Sequence, residues 1–69
     1  PRAQHARIEI YNAMGQRVIC LLDEEVAGGS GGITWSGRDA SGRQVAPGTY
    51  FCRLATDDGT RVTRMVHVR

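Results

Sequence analysis

The chain has no lysine. All nine of its basic side chains are arginine, and seven acids spread along the sequence leave a net charge of +2. With no basic block, nothing marks a nucleic-acid or membrane-adsorbing surface, and nucleic acid is not an expected partner. Long apolar runs are missing as well. The longest, Val18–Leu22, has five residues, far short of the roughly 20 that a spanning helix needs, so no membrane insertion is expected. Helical spacing is also lacking: no run of ten residues repeats apolar side chains at three and four, and nine glycines interrupt any helix that starts. Helix content is expected near zero. There is no initiator methionine before Pro1 and no signal-peptide pattern, so the sequence is expected to be excised from a longer protein or processed.

At 69 residues, 41% hydrophobic and 23% charged, the chain reads as one globular domain, residues 1–69. A domain this small buries only about 60% of the surface its unfolded chain exposes, so its stability margin is thin. Two cysteines, Cys20 and Cys52, are too few for a disulfide-stapled miniprotein and lack CxxC spacing. They form either a single bridge or two small core fillers. A bridge closing a loop of about 30 residues would contribute about 3–4 kcal/mol. The residues favour free, buried cysteines.

Apolar and polar residues alternate through Ala6-Arg7-Ile8-Glu9-Ile10-Tyr11, the period of a half-buried strand with Ile8 and Ile10 inward. Asn12–Gln16 punctuates it. Gly15 can take the positive φ that closes a hairpin, and Arg17–Leu22 resumes as a second strand. Asp23-Glu24-Glu25 then leads into a glycine-rich surface loop through Gly32. A short third strand is expected over Gly32–Ser36 with Trp35 as a core anchor, followed by a turn over Gly37–Arg43. After Pro47-Gly48, residues Thr49–Thr56 place Tyr50, Cys52 and Leu54 on one face and Phe51, Arg53 and Ala55 on the other. Asp57-Asp58-Gly59 reads as a hairpin turn. Thr60–Val68 closes the chain, with Val62, Val66 and Val68 on one face. Five strands separated by turn signals favour an all-β sandwich or small barrel.

Ile8-Glu9-Ile10-Tyr11-Asn12 with Gly15-Gln16-Arg17-Val18, then Ile33-Thr34-Trp35-Ser36-Gly37-Arg38-Asp39-Ala40-Ser41-Gly42, then Val45-Ala46-Pro47-Gly48-Thr49-Tyr50-Phe51-Cys52-Arg53-Leu54 resemble two related groups over nearly the whole chain. One is the immunoglobulin-like domain of flagellar hook-capping proteins. The other is the C-terminal sorting domain of proteins exported by the type IX secretion system. The resemblance implies a small immunoglobulin-like β-sandwich of antiparallel strands that lacks its first strand, which in these groups precedes the position of Pro1. The edge so exposed would invite pairing with another chain. The sequence departs from the shared pattern at Ser36, where an aspartate commonly follows the tryptophan, and it carries arginine where lysine is frequent near the end.

The functional expectation that follows is a recognition domain, non-catalytic and without a cofactor. It would direct a secreted parent protein through type IX secretion to the bacterial cell surface. The recognition residues would be those of the last strand, Arg64, Val66, Val68 and Arg69, with Gly15, Trp35, Gly48 and Tyr50 holding the fold. The partner would be protein, either secretion machinery or a neighbouring domain. The alternatives are a structural immunoglobulin-like spacer or assembly domain and a carbohydrate-binding appendage of a secreted hydrolase.

Three chemical constellations weigh against simpler readings. A Cys52–His67 pair could activate a thiolate, but no third group orients it, and a core thiol with a surface imidazole is the simpler account. Zinc on Cys20, Cys52, His5 and His67 would need four scattered residues to converge. Calcium at Asp23-Glu24-Glu25, or at Asp39 with Asp57 and Asp58, competes with a solvated acidic loop and two ordinary turns. No metal site is expected. Trp35, Tyr50 and Phe51 could stack on a sugar, but packing of Trp35 and Tyr50 in the core is favoured, which leaves Phe51 and Tyr11 as the surface aromatics.

Overall fold

A computed structural model, which describes residues 4–26 and 34–68, has β1 over Gln4–Asn12, β2 over Arg17–Val26, β3 over Gly48–Thr56 and β4 over Gly59–His67. All neighbours are antiparallel, in the order β2-β1-β3-β4. The all-β expectation therefore holds, and no helix occurs among the described residues. They form one sheet, whose two edges are β2 and β4.

The hairpins form where turn chemistry dictates. Asn12 Oδ1 accepts the Met14 and Gln16 amides, both at 3.0 Å, and Gly15 takes φ 85° to let the chain reverse. The segment Asp39-Ala40-Ser41-Gly42-Arg43 repeats that device. Asp39 Oδ1 accepts the Ser41 and Arg43 amides, and the glycine again has positive φ, 87°. In both, the side-chain acceptor at the first position mimics a backbone carbonyl and fixes a five-residue turn.

β1 is central, so both of its faces are covered by side chains from two neighbours. Register places Ala6, Ile8 and Ile10 beside Ile19 and Leu22 of β2 and beside Cys52 and Leu54 of β3. Ile10, at 1% exposure, is the most deeply buried side chain there. Register shifts at Leu21 and Val18 bulge β2 without moving these residues off their face. The Val18 carbonyl, left outside the β1–β2 ladder, instead accepts the Ala40 amide at 3.2 Å.

Two sequence-based expectations change. Thr34–Ser36 is irregular rather than a strand; the rest of the expected third strand, like most of the glycine-rich stretch, lies outside the described residues. Trp35 is half-buried and held individually instead, its indole Nε1 donating to the Arg38 carbonyl at 2.9 Å and its ring packed on Tyr50. Among the described residues Thr34–Ser36 have no ladder partner, and ring packing holds Trp35. The second change is Asp23-Glu24-Glu25, which extends β2 rather than opening a loop, because Arg7, Ala6 and His5 of β1 lie opposite as ladder partners.

β3 runs parallel to β2 with β1 between them, so the connection from Val26 to Gly48 crosses one face of β1. Contacts of Trp35 with Tyr50 and His67 place the crossing on the Ile10 face, called here the tryptophan face. The opposite face carries Arg7, Glu9 and Tyr11 of β1 and is called the arginine face.

Candidate functional site

The arginine face has its centre at Glu9. Alternation alone points this side chain to solvent, yet it is 3% exposed. Register explains why: Arg53 lies directly opposite on β3, Arg17 lies one step away on β2, and Arg7 is two residues along on β1. Arg17 Nη1 donates to Glu9 Oε2 at 3.1 Å, and Arg53 Nη1 to Oε1 at 3.3 Å. Arg7 Nε stands 3.5 Å from Oε1. Tyr11 adds its hydroxyl to Oε1 at 3.1 Å. Burial by this thin layer of side chains pushes the Glu9 pKa up. Hydrogen bonds from Arg17 and Tyr11 and the charges of Arg7 and Arg17 outweigh it, so the carboxyl sits below its ordinary value. The same contact raises the Arg17 pKa. The guanidinium groups remain partly in water, so the carboxylate is covered by charge rather than by a hydrophobic core.

The other organised cluster is aromatic. Trp35 and Tyr50 meet edge to face with centroids 5.2 Å apart, and the His67 ring lies 5.6 Å from Trp35 and 6.2 Å from Tyr50. Tyr50, 7% exposed, donates its hydroxyl to the Ala46 carbonyl at 2.6 Å. Gly37 is pressed against this cluster. A Cβ there would lie 2.5 Å from His67 Cε1, and its φ of 80° already favours glycine.

Of the residues expected to hold the fold, Trp35 and Tyr50 come together in this cluster, Gly15 closes the first hairpin, and Gly48 opens β3 opposite His67. In the last strand, Arg64 lies opposite Phe51 and Val66 opposite Thr49 on the arginine face. Val62, Val66 and the following Val68 are 61%, 66% and 74% exposed. Arg69 lies outside the described residues.

The chemical constellations are not assembled. His67 aligns with Gly48, four residues from Cys52 along β3, a separation of about 13 Å. Burial pushes the Cys52 thiol up, opposite to an activated nucleophile. Cys20 and Cys52 are free, and Cys20 is exposed rather than a core filler. They flank β1 on opposite faces, opposite Glu9 and Ile10 respectively. Two strand spacings separate them by about 10 Å, beyond the roughly 7 Å Cα limit of a bridge. No group of three or more potential metal ligands exists among the described residues. Asp39 is occupied by its own turn: the hydrogen bond from Ser41 Oγ at 2.7 Å and the Arg43 amide lower its pKa. Asp23 pairs with His5. Trp35 and Tyr50 lie on one face and Phe51 on the other, so they form no common stacking platform.

Sequence reasoning missed Glu9. The available signal was a lone acid in an alternating strand with arginine at Arg7, Arg17 and Arg53. It becomes decisive only when β1 is known to be the middle strand.

An antiparallel sheet with a tryptophan against it and a tyrosine hydroxyl bonded back to a carbonyl four residues upstream is consistent with a small immunoglobulin-like domain. Residues 1–60 match the family model of the FlgD Ig-like domain, and the chain belongs to that family. No curated protein and no solved structure matches it. The family is one of non-catalytic structural domains.

Glu9→Gln should lower stability by about 1–3 kcal/mol at neutral pH, because it removes the charge from a covered acceptor bonded to several donors. The pKa of Glu9 is depressed by folding, so its contribution is present above the pKa of the unfolded chain and disappears as pH falls through the folded value. Chemical denaturation from neutral to acidic pH should therefore show wild type and Glu9→Gln converging in acid.

Proposed function

We propose that the domain is a structural immunoglobulin-like module that works by packing against a neighbouring domain or subunit of its assembly. The observation that carries this reading is membership of the FlgD Ig-like family over residues 1–60. The shape of the sheet supports it. One face is crossed by the chain's own connection, while the other presents arginines, half-buried Tyr11 and Phe51, and exposed Val62 and Val66 with no covering segment among the described residues. The edge of β4 is likewise unpaired among them, open to a strand from another chain. Hydrogen exchange of residues 4–68 should be slower within the domain's native assembly than in the isolated chain, with the added protection confined to one surface. Identical exchange in both states contradicts packing.

A second reading is that the domain is a type IX sorting signal, carrying its parent out of the cell to the surface and recognised by the secretion machinery. It is favoured by the last strand. β4 is an edge strand that falls almost entirely beyond the family match, and Arg64 and Val66 on it, with Val68 just after it, are exposed. Fused to a reporter in a type IX-competent bacterium, residues 1–69 should bring it to the cell surface, and Arg64→Ala with Val66→Ala should abolish this. A reporter that stays in the periplasm with the intact domain rejects sorting.

A further inference from the structure

Across the arginine face the register builds a row in which Arg17, Tyr11, Phe51 and Arg64 lie side by side on β2, β1, β3 and β4. The adjacent row is Cys20, Glu9, Arg53 and Val62, and Arg7 follows on β1. In these two rows three guanidinium groups share the surface with one carboxylate, Glu9, which is already covered; beyond them Arg7 lies opposite Asp23 and His5 opposite Glu25. Asp23, on the next row, is engaged by His5. Arg17 and Arg53 each contact Glu9 through Nη1 alone and Arg7 through Nε. A guanidinium has five N–H donors, so among the described residues most of the donors on this face have no protein partner.

We propose that the arginine face docks a carboxylate-bearing, extended segment of a protein partner. Charge complementarity fixes the sign: these two rows hold three guanidinium groups against one carboxylate, and that carboxylate is already shared among Arg17, Arg53 and Arg7. The guanidinium fork matches a carboxylate in paired hydrogen bonds. Spacing fits an extended chain. Arg17 and Arg64 are three strand spacings apart, about 14 Å, and carboxylates at alternate positions of an extended segment cover about 13 Å over four residues. The neighbours fit protein rather than nucleic acid. Tyr11, Phe51, Val62 and Val66 interleave with the arginines, the composition of protein interface cores. The whole chain carries only +2, too little for a polyanion-attracting field.

This proposal names the chemistry of the partner required by the structural-module reading and rests on it. The test uses the 69-residue chain and a fluorescein-labelled peptide of alternating glutamate and glycine, followed by anisotropy and amide NMR. Binding is expected at low salt, weakening by about 0.15 M ionic strength, with shifts at Tyr11, Arg17, Phe51 and Arg64. Arg64→Gln, which leaves the Glu9 contacts intact, should weaken binding about fivefold. Arg61→Gln, on the same strand but facing the other way beside Leu54, should not. Absence of binding at low salt, equal weakening by both variants, or tighter binding of a single-stranded oligonucleotide of equal charge overturns the proposal. If the peptide fails while hydrogen exchange still reveals packing in the native assembly, only the acidic-partner proposal falls. If both fail, the structural-module reading falls with it.

Discussion

The sheet depends on what sits on the two faces of its central strand. At Ile10 and Glu9, adjacent in sequence and on opposite sides, β1 presents an aliphatic side chain to one face and a carboxylate to the other, and both are almost fully buried. A sheet this thin has little apolar area to bury. Its second face is held by a carboxylate that gathers Arg17 from β2 and Arg53 from β3, tying both neighbours to the same strand. Such pairs cost desolvation and are favourable only when the remaining donors stay satisfied. Here the guanidinium groups keep contact with water, which supplies that satisfaction.

The aromatic end performs a different task. The long connection between β2 and β3 must pass over β1, and it is anchored by Trp35 on Tyr50 and His67, by the Asp39 turn, and by the Ala40 amide on the Val18 carbonyl. Each anchor is a specific polar or ring contact. The register shift at Val18 coincides with this arrangement, since the Val18 carbonyl is the one that accepts the Ala40 amide.

Much of this was legible in the residues. Alternation located β1, β3 and β4, glycine and Asx chemistry located the turns, and the faces of Tyr50, Cys52 and Leu54 followed from a period of two. What was not legible was order across the sheet. Glu9 looks like a solvent-facing residue until Arg53 and Arg17 are known to flank it. Asp23-Glu24-Glu25 looks like a loop until β1 supplies ladder partners. Trp35 was rightly read as a packing residue, but the strand around it was not, because strand formation requires an edge to pair with and the indole needs only a ring and a carbonyl. The family resemblance on the hook-capping side held over residues 1–60.

The central claim is that a carboxylate buried under three arginines joins the sheet and leaves its open face positive. The most direct measurement is the side-chain carboxyl titration of Glu9, followed by carbon NMR in the intact chain. The account predicts a pKa below that of an unstructured glutamate, with the Arg17 and Arg53 guanidinium signals changing in step as the proton binds. A Glu9 carboxyl that titrates at or above the ordinary value, with those guanidinium signals unmoved, would contradict it.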